Sequence, residues 1–162
     1  MLDHGTQPGP YTLVNLGQAM AAHAPDVLRG LPLLVAGFKG TNSLRADTRI
    51  AVQLRLSKLL GCPVCRALFP GIGRRAGLTD TFMDAALRGD GSALTGEPAA
   101  ALAWMEEVVR TGGHPAAPVA PATELTAAQR EHLLILTRLD IIVHSVGLMF
   151  LPHSMVARAW AD

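Results

Sequence analysis

The stretch "TRIAVQLRLSKLLG", Thr48 to Gly61, decides the fold class. Ile50, Val52, Leu54, Leu56, Leu59 and Leu60 alternate with Arg49, Gln53, Arg55 and Lys58, and Ile50 to Leu56 repeats with period two, which suits a strand. No second β-rich run exists elsewhere in the chain to pair with it, and a lone strand leaves its backbone N–H and C=O groups without partners. The stretch is therefore read as a helix. Gly61 ends it, as glycine commonly does at a helical C-terminus.

Outward from this helix the rest of the chain agrees. Leu13, Leu16, Ala19 and Met20 fall at helical spacing, and "HAPDVLRGLPLLVAGF" supplies a second early helix with Pro25 near its start. Ser43 to Asp47 forms a turn into the deciding helix. Thr79 or Asp80 caps a helix to about Arg88, and Pro98 stands in the first turn of one through Arg110. "TGGHPAAPVAPATE" reads as an extended connection. Helix is expected again over Thr126 to Leu136 and Leu139 to Phe150, with a break between them, and in a last piece from Pro152 to Ala161. Pro70 is expected to kink or end the helix that holds it. The sum is an all-α single domain of about six to eight helices, with a flexible arm over residues 1–10 and the helical domain over 11–162.

Composition narrows the function. Hydrophobic residues make up 49% of the chain but aromatics only 4%, so the core is built from aliphatic side chains and methionine. The formal net charge of +1 gives no electrostatic reason to expect nucleic acid or a membrane as partner. The N-terminus lacks the basic start and apolar run of a secretory signal, so a cytoplasmic location is expected. The longest apolar stretch, Leu133 to Leu151, carries Arg138, Asp140 and His144 and reads as a buried helix.

Both cysteines lie in "LLGCPVCRALFPGIGRRAGL", Leu59 to Leu78. Cys62 would open a helix whose first turn takes Pro63, and unpaired N–H groups at such an end favour a thiolate; Arg66 and Arg74 or Arg75 would add to this. The spacing lets the two sulfurs close a disulfide. A CxxC without an export signal thus reads as a redox dithiol, with a pair of buried apolar residues as the plainer alternative. Zinc is the weakest reading, because a structural site needs four ligands and two histidines would have to complete it. No metal and no cofactor is expected.

The run "SLRADTRIAVQLRLSKLLGCPVCRALFPGIGRRAGLTDTFMDAAL", Ser43 to Leu87, resembles the core signature of the carboxymuconolactone decarboxylase and alkylhydroperoxidase AhpD superfamily. Ser57, Gly61, Cys62, Cys65, Gly77 and Leu78 match that signature without a gap, and "AHAPDVL" and "EPAAALAWMEEVV" agree loosely on either side. The resemblance implies an AhpD-like helical bundle, trimeric or hexameric, whose dithiol reduces peroxides with electrons from a dithiol reductant or a redox partner protein. It makes Cys65 peroxidatic and Cys62 resolving. The chain departs from the pattern at the proton relay: the family's glutamate falls on Ile50 and its histidine on Phe69.

Asp140 and His144, spaced i, i+4, are the candidate substitute relay, with a structural histidine bonded to a backbone carbonyl as the plainer reading. Ile50, Phe69, Ser57 and His23 are candidates to line the pocket. Trp104 and Met105 read as core, and Glu106 and Glu107 as a solvated face. The expected function is a thiol-dependent antioxidant enzyme acting on peroxides or disulfides. The alternatives are a carboxymuconolactone-decarboxylase-like small-molecule enzyme, or a non-catalytic ligand-binding or assembly protein that has lost the relay.

Overall fold

Residues 46–59 form a helix, α1 (Ala46–Leu59), and the reason for their alternation is visible in what surrounds it. Thr48, Ile50, Ala51, Val52, Leu54, Leu56 and Ser57 are all buried, and at 100° per residue they cover nearly the full circumference. A helix with apolar residues buried on opposite sides, and only half-buried polar residues such as Arg49 and Gln53 between them, shows no broad polar stripe to reveal its period. In this computed structural model, which describes residues 18, 20–30, 43–115 and 121–149, α1 is the axis on which the other elements pack.

The helices that follow are α2 (Pro63–Arg75), α3 (Asp80–Arg88), α4 (Glu97–Arg110) and α5 (Ala127–Met149), with a single 3-10 turn at Ala122–Glu124. Every element among the described residues is helical, and together they form an all-α bundle. Before α1, residues 20–23 and 25–30 are helical, with Pro25 opening the second piece. The expected arm over 1–10 and the expected helix after Pro152 lie outside the described residues.

The core joins α1 to α3 and α4 through Ile50, Val52, Leu54, Leu56, Met83, Ala100, Leu102, Trp104, Met105 and Val108, with Leu133 from α5. Burying a side chain such as Leu54 contributes roughly 1.5–3 kcal/mol, so α1 accounts for a large share of the driving force. The Trp104 indole, buried as expected, donates to the Arg130 carbonyl at 3.1 Å and so ties α4 to α5. Thr126 and Gln129 open α5 with a reciprocal capping box: the Gln129 side chain accepts from Thr126 N at 2.9 Å, and the Thr126 hydroxyl from Gln129 N at 3.2 Å. Thr79 caps α3 by accepting from Phe82 N at 3.2 Å. Glu97 ties the starts of α1 and α5 together, accepting from Arg45 N at 2.9 Å and from the Gln129 amide at 3.0 Å.

Three expectations are corrected. The break between Leu136 and Leu139 does not occur, and α5 runs unbroken through Thr137 and Arg138, whose guanidinium donates to the Gly113 carbonyl. No proline or glycine interrupts the segment, so nothing local stops it. Pro70 does not end α2 either. Its missing N–H leaves the Arg66 carbonyl without the usual i+4 partner. Packing carries the helix through: Phe69 and Ile72 rest on the core, and Gly73 lies so close to α3 that a Cβ there would run into the Met83 thioether. Glu106 is also more than a solvated residue, since it accepts from Arg55 Nε at 2.6 Å.

Candidate functional site

The site begins with how α1 hands over to α2. Gly61 has φ 62°, the left-handed conformation that glycine adopts without penalty, and two reverse bonds complete the turn: Gly61 N to Lys58 O at 3.1 Å and Cys62 N to Ser57 O at 2.9 Å. This is a Schellman motif, and it makes Cys62 at once the residue that closes α1 and the N-cap of α2. Pro63 takes the first helical position, where no N–H is needed. Cys62 Sγ accepts from Cys65 N at 3.1 Å, in the way a serine oxygen caps a helix.

Cys62 and Cys65 are joined as a disulfide, with Cα atoms 5.3 Å apart, a normal separation for such a bridge. Cys62 is buried and Cys65 half-buried, so Cys65 is the more approachable of the two. The arginine contribution expected from Arg74 and Arg75 is corrected. They stand in the last turn of α2, about 18 Å from Cys62 at 1.5 Å per residue, and Arg74 pairs with Asp80 at 3.0 Å. Of the expected electrostatic aids to a thiolate, the helix start and Arg66 in its first turn are the ones near Cys62 and Cys65.

The third member arrives from α5. An imidazole nitrogen of His144 and the two sulfurs all lie within 4.8 Å of one another. His144 is only 8% exposed. Burial holds its pKa below the ordinary histidine value, while a hydrogen bond to the Leu60 backbone opposes the shift in part. The ring is thus neutral at pH 7 and has a basic nitrogen to offer. Both readings of this residue meet here: it is bonded to the backbone and it stands beside the dithiol.

Asp140, one turn earlier on α5, behaves differently from a relay carboxylate. Burial raises its pKa from 3.8 to about 7, its Oδ2 is buried with no hydrogen-bond partner, and it makes no hydrogen bond to His144. Thr137, three residues before it and fully buried, also has an unpartnered hydroxyl. Thr137, Asp140 and His144, at i, i+3 and i+7, form a polar strip on one side of an apolar helix. That spacing was available in the sequence; Thr137's place in it went unread.

The remaining candidates fare unequally. Ser57 is buried with its hydroxyl donating to the Leu54 carbonyl at 2.6 Å, and its own carbonyl anchors Cys62 N. Ile50 is 6% exposed in the core, and Phe69 packs against that core. His23 is exposed on the early helical piece. Among the described histidine, aspartate and glutamate side chains, His144 is the one grouped with the two sulfurs.

No family model, curated protein or solved structure matches the chain. No helix among the described residues is long and apolar enough to cross a membrane. What the residues offer is a CxxC pair at a helix start, closed as a disulfide and flanked by a buried neutral imidazole.

Proposed function

We propose that the chain is a thiol-dependent oxidoreductase of AhpD-like kind, reducing peroxides or disulfides through Cys62 and Cys65, with His144 in the role that the family gives to the histidine replaced here by Phe69. The observation that carries this reading is the grouping of both sulfurs with the His144 imidazole. In the reduced protein His144 accepts the Cys65 proton. The Cys65 thiolate attacks one peroxide oxygen; the O–O bond breaks, and the leaving alkoxide or hydroxide takes that proton from the imidazolium, giving Cys65 sulfenic acid and an alcohol or water.

Cys62 then attacks the sulfenic sulfur. An S–S bond forms, the S–O bond breaks, and the hydroxyl leaves as water with the Cys62 proton. A dithiol reductant restores the pair: its thiolate attacks the more approachable Cys65, and Cys62 leaves as an anion stabilised by the Cys65 N–H and the start of α2. The reductant's second thiol then attacks its own sulfur in the mixed disulfide, forming the reductant's disulfide and releasing Cys65, and both cysteine anions take up the protons the reductant gave up. The two cysteines thus divide the work in agreement with their surroundings. The same reading carries a homotrimer or homohexamer as the working assembly.

The test is stoichiometric. Reduced protein treated with one equivalent of hydrogen peroxide should lose both thiols per chain to an intramolecular disulfide. Cys62→Ser should stop at the sulfenic acid, and Cys65→Ser should react no faster than a free thiol. Thiol loss in the wild type at the rate of a free thiol would overturn the proposal.

A further inference from the structure

We propose that the reduced form binds one zinc ion through Cys62 Sγ, Cys65 Sγ and a nitrogen of His144, and that oxidation of the dithiol expels it. Thiolate and imidazole are the ligand types zinc prefers, and the CxxC pair supplies two of them from one helix start. The sequence left open which histidines could complete the set. The fold completes it to three by bringing His144 within 4.8 Å of both sulfurs.

Zn–S and Zn–N distances of about 2.3 and 2.0–2.1 Å put ligand atoms about 3.3–3.8 Å apart around a tetrahedral ion, so the cluster needs only side-chain rotation once the S–S bond is open. An imidazole nitrogen of His144 is already grouped with both sulfurs, and the ring is held there by its burial against the helix junction. Three protein ligands leave the fourth position to water, the arrangement of zinc sites that exchange ligands rather than of closed structural ones.

Binding releases protons from both thiols, so it strengthens as pH rises. Peroxide reverses it: the two thiolates, one hydrogen peroxide and two protons give the disulfide, two waters and free Zn²⁺. The two thiolates each lose one electron, and the peroxide oxygens take them up. A disulfide sulfur has no anionic charge to give the ion, so the oxidised chain holds none. Release rests on the dithiol chemistry proposed above; binding needs only the reduced thiols.

The measurement is equilibrium dialysis of the reduced full chain against zinc chloride under anaerobic conditions, with metal and thiols counted on the same samples. One zinc per reduced chain is expected, none on the peroxide-treated chain, and affinity lower by more than about 100-fold in His144→Ala, since a lost ligand costs more than the roughly 10–100-fold of a lost outer partner. Cobalt(II) in place of zinc reads the donors directly, with thiolate charge-transfer bands and the intense visible absorption of a tetrahedral ion. A wild-type reduced chain that retains no zinc, or a folded His144→Ala chain that binds it as tightly, overturns the inference. The thiol count shows separately whether the dithiol cycle itself has failed.

Discussion

His144 and Asp140 sit one turn apart on the same helix, yet burial acts on them in opposite directions, because it disfavours whichever form is charged. For Asp140 the folded pKa, about 7, exceeds the unfolded value near 3.8, so the folded state holds the proton more tightly. Its contribution to stability is fully present below about pH 4 and is lost as pH rises toward 7, with a total of at most about 4 kcal/mol. For His144 the folded pKa lies below the unfolded one, so its contribution is present above about pH 6.5 and is lost as pH falls through the folded value. Asp140→Asn should therefore stabilise the protein at pH 8 and leave it little changed at pH 4, as read by thermal unfolding at both. Equal effects at the two pH values would show that the carboxyl is not held protonated. The unpartnered Oδ2 gives the substitution room to be tolerated, since no bond to His144 is lost with it.

At the scale of elements, α1 and α2 are two helices joined by one glycine and one cysteine, and this junction was legible in the sequence. Gly61, Cys62 and Pro63 each have a local conformational preference, and all three point to the same turn. α1 itself was ambiguous for a physical reason: the residues that alternate, Ile50 to Leu56, are buried on opposite sides of one helix, so the pattern reports burial on two sides and not period. Leu54→Ala should cost about 2–5 kcal/mol in denaturant unfolding, because it is fully buried between helices that are fixed on several sides. A cost under about 1 kcal/mol would mean that the core around α1 collapses freely. An end to α2 at Pro70 and a break in α5 were expected from local signals alone, and neither occurs, since Phe69, Ile72 and Gly73 hold α2 by contacts with other helices. The placing of Arg74 and Arg75 near the dithiol failed on length alone, since a helix carries them away from its start.

Across the whole molecule, the candidate site is assembled from segments far apart in the chain, and that part was least legible. The spacing of Asp140 and His144 marked a polar side of an apolar helix, but only the packing of α5 over the junction of α1 and α2 brings His144 to Leu60 and the sulfurs. The same bundle leaves Ile142 56% exposed on α5, an apolar side chain that a symmetric assembly would cover. The AhpD-like reading expects a trimer or hexamer by light scattering. Ile142→Glu should weaken that assembly, and a wild-type monomer at all concentrations would count against the family reading while leaving the dithiol chemistry to be judged by itself.

The central claim is that a buried, neutral His144 activates the Cys65 thiol, and the pH dependence of Cys65 oxidation by peroxide tests it most directly, measured in Cys62→Ser with and without His144→Ala. With His144 present, the rate should be half-maximal below about pH 7, against ~8.5 for an ordinary thiol. Removing the imidazole should slow the reaction by about 10²–10⁴-fold at pH 7 and move the midpoint back toward the ordinary value. An ordinary thiol profile that His144→Ala leaves unchanged would contradict the claim.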